Sequence, residues 1–110
     1  MLILSNKYET YLQKAWGDSL ENVSINDVRN AIYETQHMDD EHGAFWVGLF
    51  NSNENVLEVH KDLTIIGVFE DSPDEQIKRK GKSWEEIESL YCLLLEGHLN
   101  KLKQTLIDIT

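Results

Sequence analysis

The stretch AFWVGLFNSNENVLEVHKDLTIIGVF, residues 44–69, decides the fold class of this chain. It holds three short segments rich in aromatic and β-branched residues, which are Ala44 to Phe50, Val56 to His60 and Leu63 to Phe69. Such segments are typical of strands, and the polar residues between them are typical of turns. Because short turns join neighbouring antiparallel strands, the stretch predicts a three-stranded antiparallel meander.

The third segment of the meander is apolar on both of its faces, so we expect it to be a central strand that is covered from both sides.

A segment that follows the meander predicts one more strand. After an acidic loop around Pro73, the segment Gln76 to Lys82 carries several lysines. Lysines discourage unwanted pairing at the edge of a sheet, which makes this segment a possible fourth strand at that edge.

Apolar residues at helical spacing predict two helices before the meander. Tyr8, Tyr11, Leu12, Ala15 and Trp16 recur with this spacing, and Gly17 follows as a natural end, so we predict a first helix from Asn6 to Trp16. The spacing of Ser24 and Asp27 is that of a capping box, which predicts a second helix that ends near His37.

A long C-terminal helix is predicted from the capping-box spacing of Ser83 and Glu86 and from the apolar stripe Ile87 to Leu106. Gly97 either kinks this helix or divides it. The predicted fold class is therefore α+β, with two N-terminal helices, an antiparallel meander of three to four strands and the long C-terminal helix. We predict a single domain over residues 1–110, because domains commonly have about 100–150 residues.

Composition narrows the classes of partner. The chain has 110 residues, 41% of them hydrophobic, and a net charge of −10. This charge argues against binding to nucleic acid or to an anionic membrane surface, since both need lysines and arginines. The opening Met1-Leu2-Ile3-Leu4 is too short for the core of a signal peptide, and no apolar run is as long as a membrane span. We expect a soluble, cytoplasmic protein.

Catalytic and metal sites find little support in the sequence. On one helix, His37 and Glu41 would share a face and could hold a metal, but Gly43 ends that segment. No motif for a nucleophile or for phosphate binding is present, and Cys92 lies among leucines. We predict no catalytic residue, no metal and no cofactor. A small hydrolase with paired carboxylates, or with a metal near His37 and His42, is the enzyme alternative.

The acidic residues are unevenly distributed. Between positions 39 and 75 only Lys61 opposes ten acids, and several of these acids fall at predicted strand ends and turns, where a meander would gather them on one rim. We predict that they form a surface that attracts a basic protein, with Trp46 as its apolar anchor. The predicted partner-binding acids are Asp39, Asp40, Glu41, Glu54, Glu58, Asp62, Glu70, Asp71, Asp74 and Glu75.

From about Ser24 onward the chain resembles the small immunity proteins of bacterial polymorphic toxin systems, such as contact-dependent growth inhibition. The resemblance lies in Val28-x-x-Ala31-Ile32, Phe45-Trp46-Val47-Gly48-Leu49, the Asn-rich turn, Leu57-Glu58-Val59 and the closing leucine-rich helix. It implies a cytoplasmic, acidic single domain that binds one cognate toxin and blocks its active site or an essential surface. Many such toxins are nucleases with basic clefts.

The predicted function is therefore that of an immunity protein, which neutralises a toxin, most simply a nuclease, by occlusion through an acidic surface. The main alternative is an adaptor or regulatory module that binds another protein through the leucine-rich C-terminal helix. The oligomeric state stays open.

Overall fold

The structure is a computed structural model that describes residues 9–50 and 54–109. Across these residues it is a six-stranded antiparallel sheet with the spatial order β2-β1-β3-β4-β5-β6, together with three helices. The elements in chain order are β1 Glu9–Lys14, β2 Ser19–Glu21, α1 Ile25–His37, β3 Ala44–Phe50, β4 Glu54–His60, β5 Thr64–Val68, β6 Ile77–Lys80, α2 Trp84–Leu95 and α3 Leu99–Asp108. The fold class is α+β.

The N-terminal helix predicted from Asn6 to Trp16 is wrong. Residues 6–8 lie outside the described residues, and the rest forms strand β1 and the start of a hairpin with β2. Strand β1 pairs with β3 along its whole length, from Glu9 opposite Phe50 to Lys14 opposite Phe45. This pairing sends Tyr11 and Leu12 to opposite faces of the sheet, whereas a helix would have placed them side by side. Long-range pairing between residues 31 to 41 positions apart in the chain thus overrides the local helical spacing.

The second predicted helix and the strands that follow it agree with the structure. The Ser24 hydroxyl accepts from the Asp27 backbone N–H at 3.2 Å, and the Asp27 carboxylate accepts from the Ser24 N–H at 2.9 Å, which completes the predicted capping box of α1. Strands β3, β4 and β5 form the predicted meander, and β6 is the edge strand. The complete sheet is larger than predicted because it also contains the N-terminal hairpin.

Gly97 divides the C-terminal helix into α2 and α3. Its φ of +78° lies in the left-handed region. The Gly97 N–H donates to the Leu94 carbonyl at 3.0 Å and the His98 N–H donates to the Leu93 carbonyl at 2.9 Å. These two bonds form a Schellman motif, which satisfies the carbonyls at the end of α2 and turns the chain into α3.

The helices lie on one face of the sheet and enclose the core with it. The inward side chains of the strands alternate with outward ones, and the inward set includes Leu12, Val47 and Leu57, each at most 1% exposed. Tyr91 of α2 stacks on Phe45 with ring centroids 5.3 Å apart and donates its hydroxyl to the Leu57 carbonyl at 2.8 Å. The molecule is therefore a two-layer structure whose sheet has one face packed on helices.

Candidate functional site

The second face of the sheet is the most distinctive surface of the molecule, and we call it the open face. No helix among the described residues packs on it, and none of its apolar side chains belongs to the core cluster or packs against that cluster. The strand registers place the following side chains on it: Glu9, Tyr11, Gln13, Glu21, Trp46, Phe50, Glu54, Val56, Glu58, His60, Thr64, Ile66, Val68, Lys78 and Lys80.

The centre of the open face is apolar. Trp46, Val56, Ile66 and Val68 lie on β3, β4 and β5, and each is partly exposed. We predicted that the third strand of the meander is covered from both sides. In the described residues β5 is covered only on the face that carries Ile65, so its second set of apolar side chains belongs to the open face.

Gly48 shapes one corner of the open face. It pairs with Tyr11, and a methyl group at position 48 would overlap the Tyr11 ring. Because position 48 has no side chain, the ring lies across β3, where its hydroxyl donates to the Glu54 carboxylate of β4. The ring of Phe50 is beside it, with centroids 5.6 Å apart. Partial burial and then the Glu54 carboxylate raise the pKa of Tyr11 above its ordinary value.

Charge changes sign across the open face. Glu54 and Glu58 lie on the central strand β4, whereas Lys78 and Lys80 lie on the edge strand β6. An imidazole nitrogen of His60 is 2.6 Å from the Glu58 carboxylate, so these two open-face side chains contact each other directly. The side of the face nearer β1 is therefore acidic, and the β6 side is basic.

The ten predicted partner-binding acids do not share one rim. Connectivity places Asp39, Asp40, Glu41 and Asp62 at the end of the sheet where β3 begins and β4 ends, which we call the Asp62 end. Residues at the opposite end, the Asp71 end, are Glu54, Glu70, Asp71, Asp74 and Glu75. Glu58 lies within β4 between the two ends. The acids of a meander alternate between its two ends because successive strands run in opposite directions.

Cations from distant parts of the chain pair with several of these acids. Asp71 is 2.9 Å from the Lys103 ammonium of α3, and this hydrogen bond lowers the pKa of Asp71. Asp62 is 3.4 Å from Lys80, and hydrogen bonds from Thr64 together with that lysine lower the pKa of Asp62 to about 2. Within residues 39–75 of the sequence, Lys61 is the one cation among the ten acids, but in the fold Lys80 and Lys103 also pair with them. The negative charge available to a partner is therefore smaller than the sequence count indicates.

Of the predicted site residues, the structure brings Trp46, Glu54 and Glu58 onto the open face. Tyr11, Phe50 and Ile66 are further members of this surface that were not predicted from the sequence. Residues 9–14 alternate in burial but not in hydropathy, because the apolar residues Tyr11 and Leu12 are adjacent and lie on opposite faces of the sheet. The helical spacing of the neighbouring apolar residues was therefore the stronger local pattern.

The leucine-rich C-terminal stripe packs within the chain's own core. Ile87, Leu90, Leu94, Leu102 and Leu106 are each at most 1% exposed. These five side chains are therefore not available to a partner, which counts against the adaptor alternative.

Residues 9–50 and 54–109 contain no group of three or more histidine, cysteine, aspartate or glutamate side chains that could hold a metal ion. The Asp39 carboxylate accepts from the His42 backbone N–H at 2.8 Å, which lowers the pKa of Asp39 and closes the turn after α1. No helix in the same residues is long and apolar enough to cross a membrane.

Comparison with family models, with curated proteins and with solved structures finds no match for this chain.

Proposed function

We propose that this chain is a cytoplasmic immunity protein that binds a basic toxin domain through the open face and inhibits it by occlusion. The observation that carries the proposal is the apolar centre of that face, where Trp46, Val56 and Ile66 are partly exposed and none of the described helices covers them. Contiguous apolar surface of this kind on a folded domain commonly marks a site for another protein.

The chemistry of the open face on the side nearer β1 suits a cationic partner. Trp46 lies between Gln13 and Glu58 in the strand registers, so an apolar anchor is flanked by polar side chains that can form hydrogen bonds. Binding energy at protein interfaces concentrates in such aromatic anchors at the centre of a contact. The net charge of −10 would speed encounter with a basic protein by electrostatic steering.

Inhibition would follow from where the protein binds. If the open face covers a cleft that normally holds phosphates, Glu54 and Glu58 occupy the place of the substrate's anionic groups, and the apolar centre excludes water and substrate. A nuclease is the simplest toxin of this type, because its substrate cleft must be basic. The proposal requires no bond to be made or broken by this chain.

The direct test begins with a pull-down that identifies a basic partner domain, and then measures protection of cells that express this toxin domain. We expect coexpression of the wild-type chain to restore growth, and Trp46→Ala to abolish protection and weaken binding about 30-fold, as for an interface hot spot of about 2 kcal/mol. Tyr33→Ala is the matched control, since Tyr33 is an aromatic residue of α1 with 64% exposure and lies outside the open face.

Two results would contradict the proposal. One is growth arrest that the wild-type chain does not relieve. The other is protection that survives Trp46→Ala and is lost with Tyr33→Ala, because this pattern would assign binding to α1. Circular dichroism of both variants checks that the fold is retained. Association rates measured at rising salt concentration should fall if steering contributes, since salt screens charges over a Debye length of about 8–10 Å.

A further inference from the structure

The corner of the open face beside β2 contains a cavity with an aromatic floor. The cavity has a volume of about 420 Å³, and the rings of Tyr11 and Phe50 form part of its lining. Phe50 is 41% exposed although it is large and apolar. The hydrogen bond from Tyr11 to Glu54 holds the Tyr11 ring across Gly48. This corner therefore offers preformed aromatic surface that nothing in the described residues fills.

Carboxylates border the same cavity. Glu9 pairs in register with Phe50, and Glu21 pairs with Tyr11, so both carboxylates lie on the open face beside the rings. Neither forms an ion pair with a described residue, and both are exposed. A third carboxylate, that of Glu54 on β4, accepts from the Tyr11 hydroxyl and is not part of the lining. Aromatic faces together with unpaired carboxylates match the chemistry of an organic cation.

We propose that this cavity receives the guanidinium group of an arginine side chain from the partner protein. Of the two basic side chains, arginine fits better because its planar group stacks on aromatic rings while its N–H groups donate to carboxylates. In the resulting arrangement the guanidinium lies against the rings of Tyr11 and Phe50 and donates to Glu9 and Glu21. That the arginine belongs to a toxin rests on the proposed function, whereas the fit of the cavity to a guanidinium group does not.

A small probe tests the cavity without the partner. The isotope-labelled protein is titrated with N-acetyl-arginine amide and followed by amide chemical shifts, and the comparison ligand is N-acetyl-citrulline amide, which has the same shape without the charge. We expect arginine to shift the amides of Tyr11, Gly48 and Phe50 several-fold more than citrulline. Glu9→Gln with Glu21→Gln should weaken arginine binding by roughly twofold to fivefold for each carboxylate removed, as for exposed ion pairs.

A charge-matched variant separates local contact from overall charge. Glu85→Gln with Glu96→Gln removes two exposed carboxylates at the two ends of α2, in the helical layer, and should leave the arginine shifts unchanged. Equal shifts from arginine and citrulline, or equal loss in both double variants, would overturn the inference. Growth protection that persists alongside such a result would leave the proposed function intact. Arginine binding at this cavity without any protection of cells would support the inference about the cavity and contradict the proposed function.

Discussion

Gly48 shows how a single residue shapes the open face. Any side chain there would displace the Tyr11 ring, and with it the contact between Tyr11 and Glu54. We expect Gly48→Ala to lower the free energy of unfolding by about 1–3 kcal/mol, because overpacking of this size is costly. Urea unfolding measures the loss, and chemical shifts of the Tyr11 ring report its displacement.

The control for this prediction is the same substitution in a Tyr11→Ala background. Without the ring there is no overlap, so Gly48→Ala should then be neutral or stabilising, since glycine within a strand is itself unfavourable by roughly 0.5–1 kcal/mol. An equal loss in both backgrounds would mean that the cost arises in the backbone and not from the ring of Tyr11.

At the scale of elements, the junction of α2 and α3 depends on the left-handed backbone of Gly97. Residues with a Cβ disfavour this conformation by roughly 1–2 kcal/mol. We therefore expect Gly97→Ala to lower the free energy of unfolding by about that amount, as measured by urea unfolding. Gly97→Asn is the matched comparison and should lose less, because asparagine tolerates this conformation better. A neutral Gly97→Ala would show that the two helices can join without the turn.

The turn between β4 and β5 should make stability depend on pH through Asp62. Its folded pKa of about 2 is below the ordinary aspartate value of 3.8, so its contribution to stability is present above pH 3.8 and is lost as pH falls toward 2. We expect the stability difference between the wild type and Asp62→Asn to shrink across this window, in urea unfolding at several pH values. Thr64→Val should raise the pKa of Asp62, because it removes a hydroxyl donor. A difference that stays constant with pH would contradict the assignment.

How far the sequence predicts an element depends on how local its determinants are. Helix α1 has its capping box within four consecutive residues, and β3 to β5 alternate over short segments joined by turns, so local patterns suffice. Strand β1 gains its stability from pairing with β3, which lies 30 or more residues away. Its own apolar spacing is compatible with a helix, and no local feature reveals that a partner strand with an unpaired edge is available.

At the scale of the whole molecule, the candidate surface could be predicted only in part. Trp46, Glu54 and Glu58 were identified from composition and position, but the grouping of acids depends on the direction of each strand, which is a property of the assembled sheet. The ion pairs of Asp62 with Lys80 and of Asp71 with Lys103 likewise join residues far apart in sequence. Tyr11 belongs to the surface because β1 pairs with β3, and this pairing is not visible in the local sequence.

The two faces of the sheet should respond in opposite ways to the same substitution. Val56 and Val59 lie on β4, but Val59 is fully buried against the helices and Val56 is on the open face. Threonine is similar in shape to valine, so each change mainly adds a hydroxyl.

We expect Val59→Thr to lower the free energy of unfolding by about 1–3 kcal/mol, because its hydroxyl is buried. Val56→Thr should cost roughly 0.5 kcal/mol or less and instead weaken binding to the toxin domain. Urea unfolding and binding titrations measure the two effects. Equal destabilisation by both changes would show that something covers the open face in the folded chain, and the site proposed for the toxin would then be occupied already.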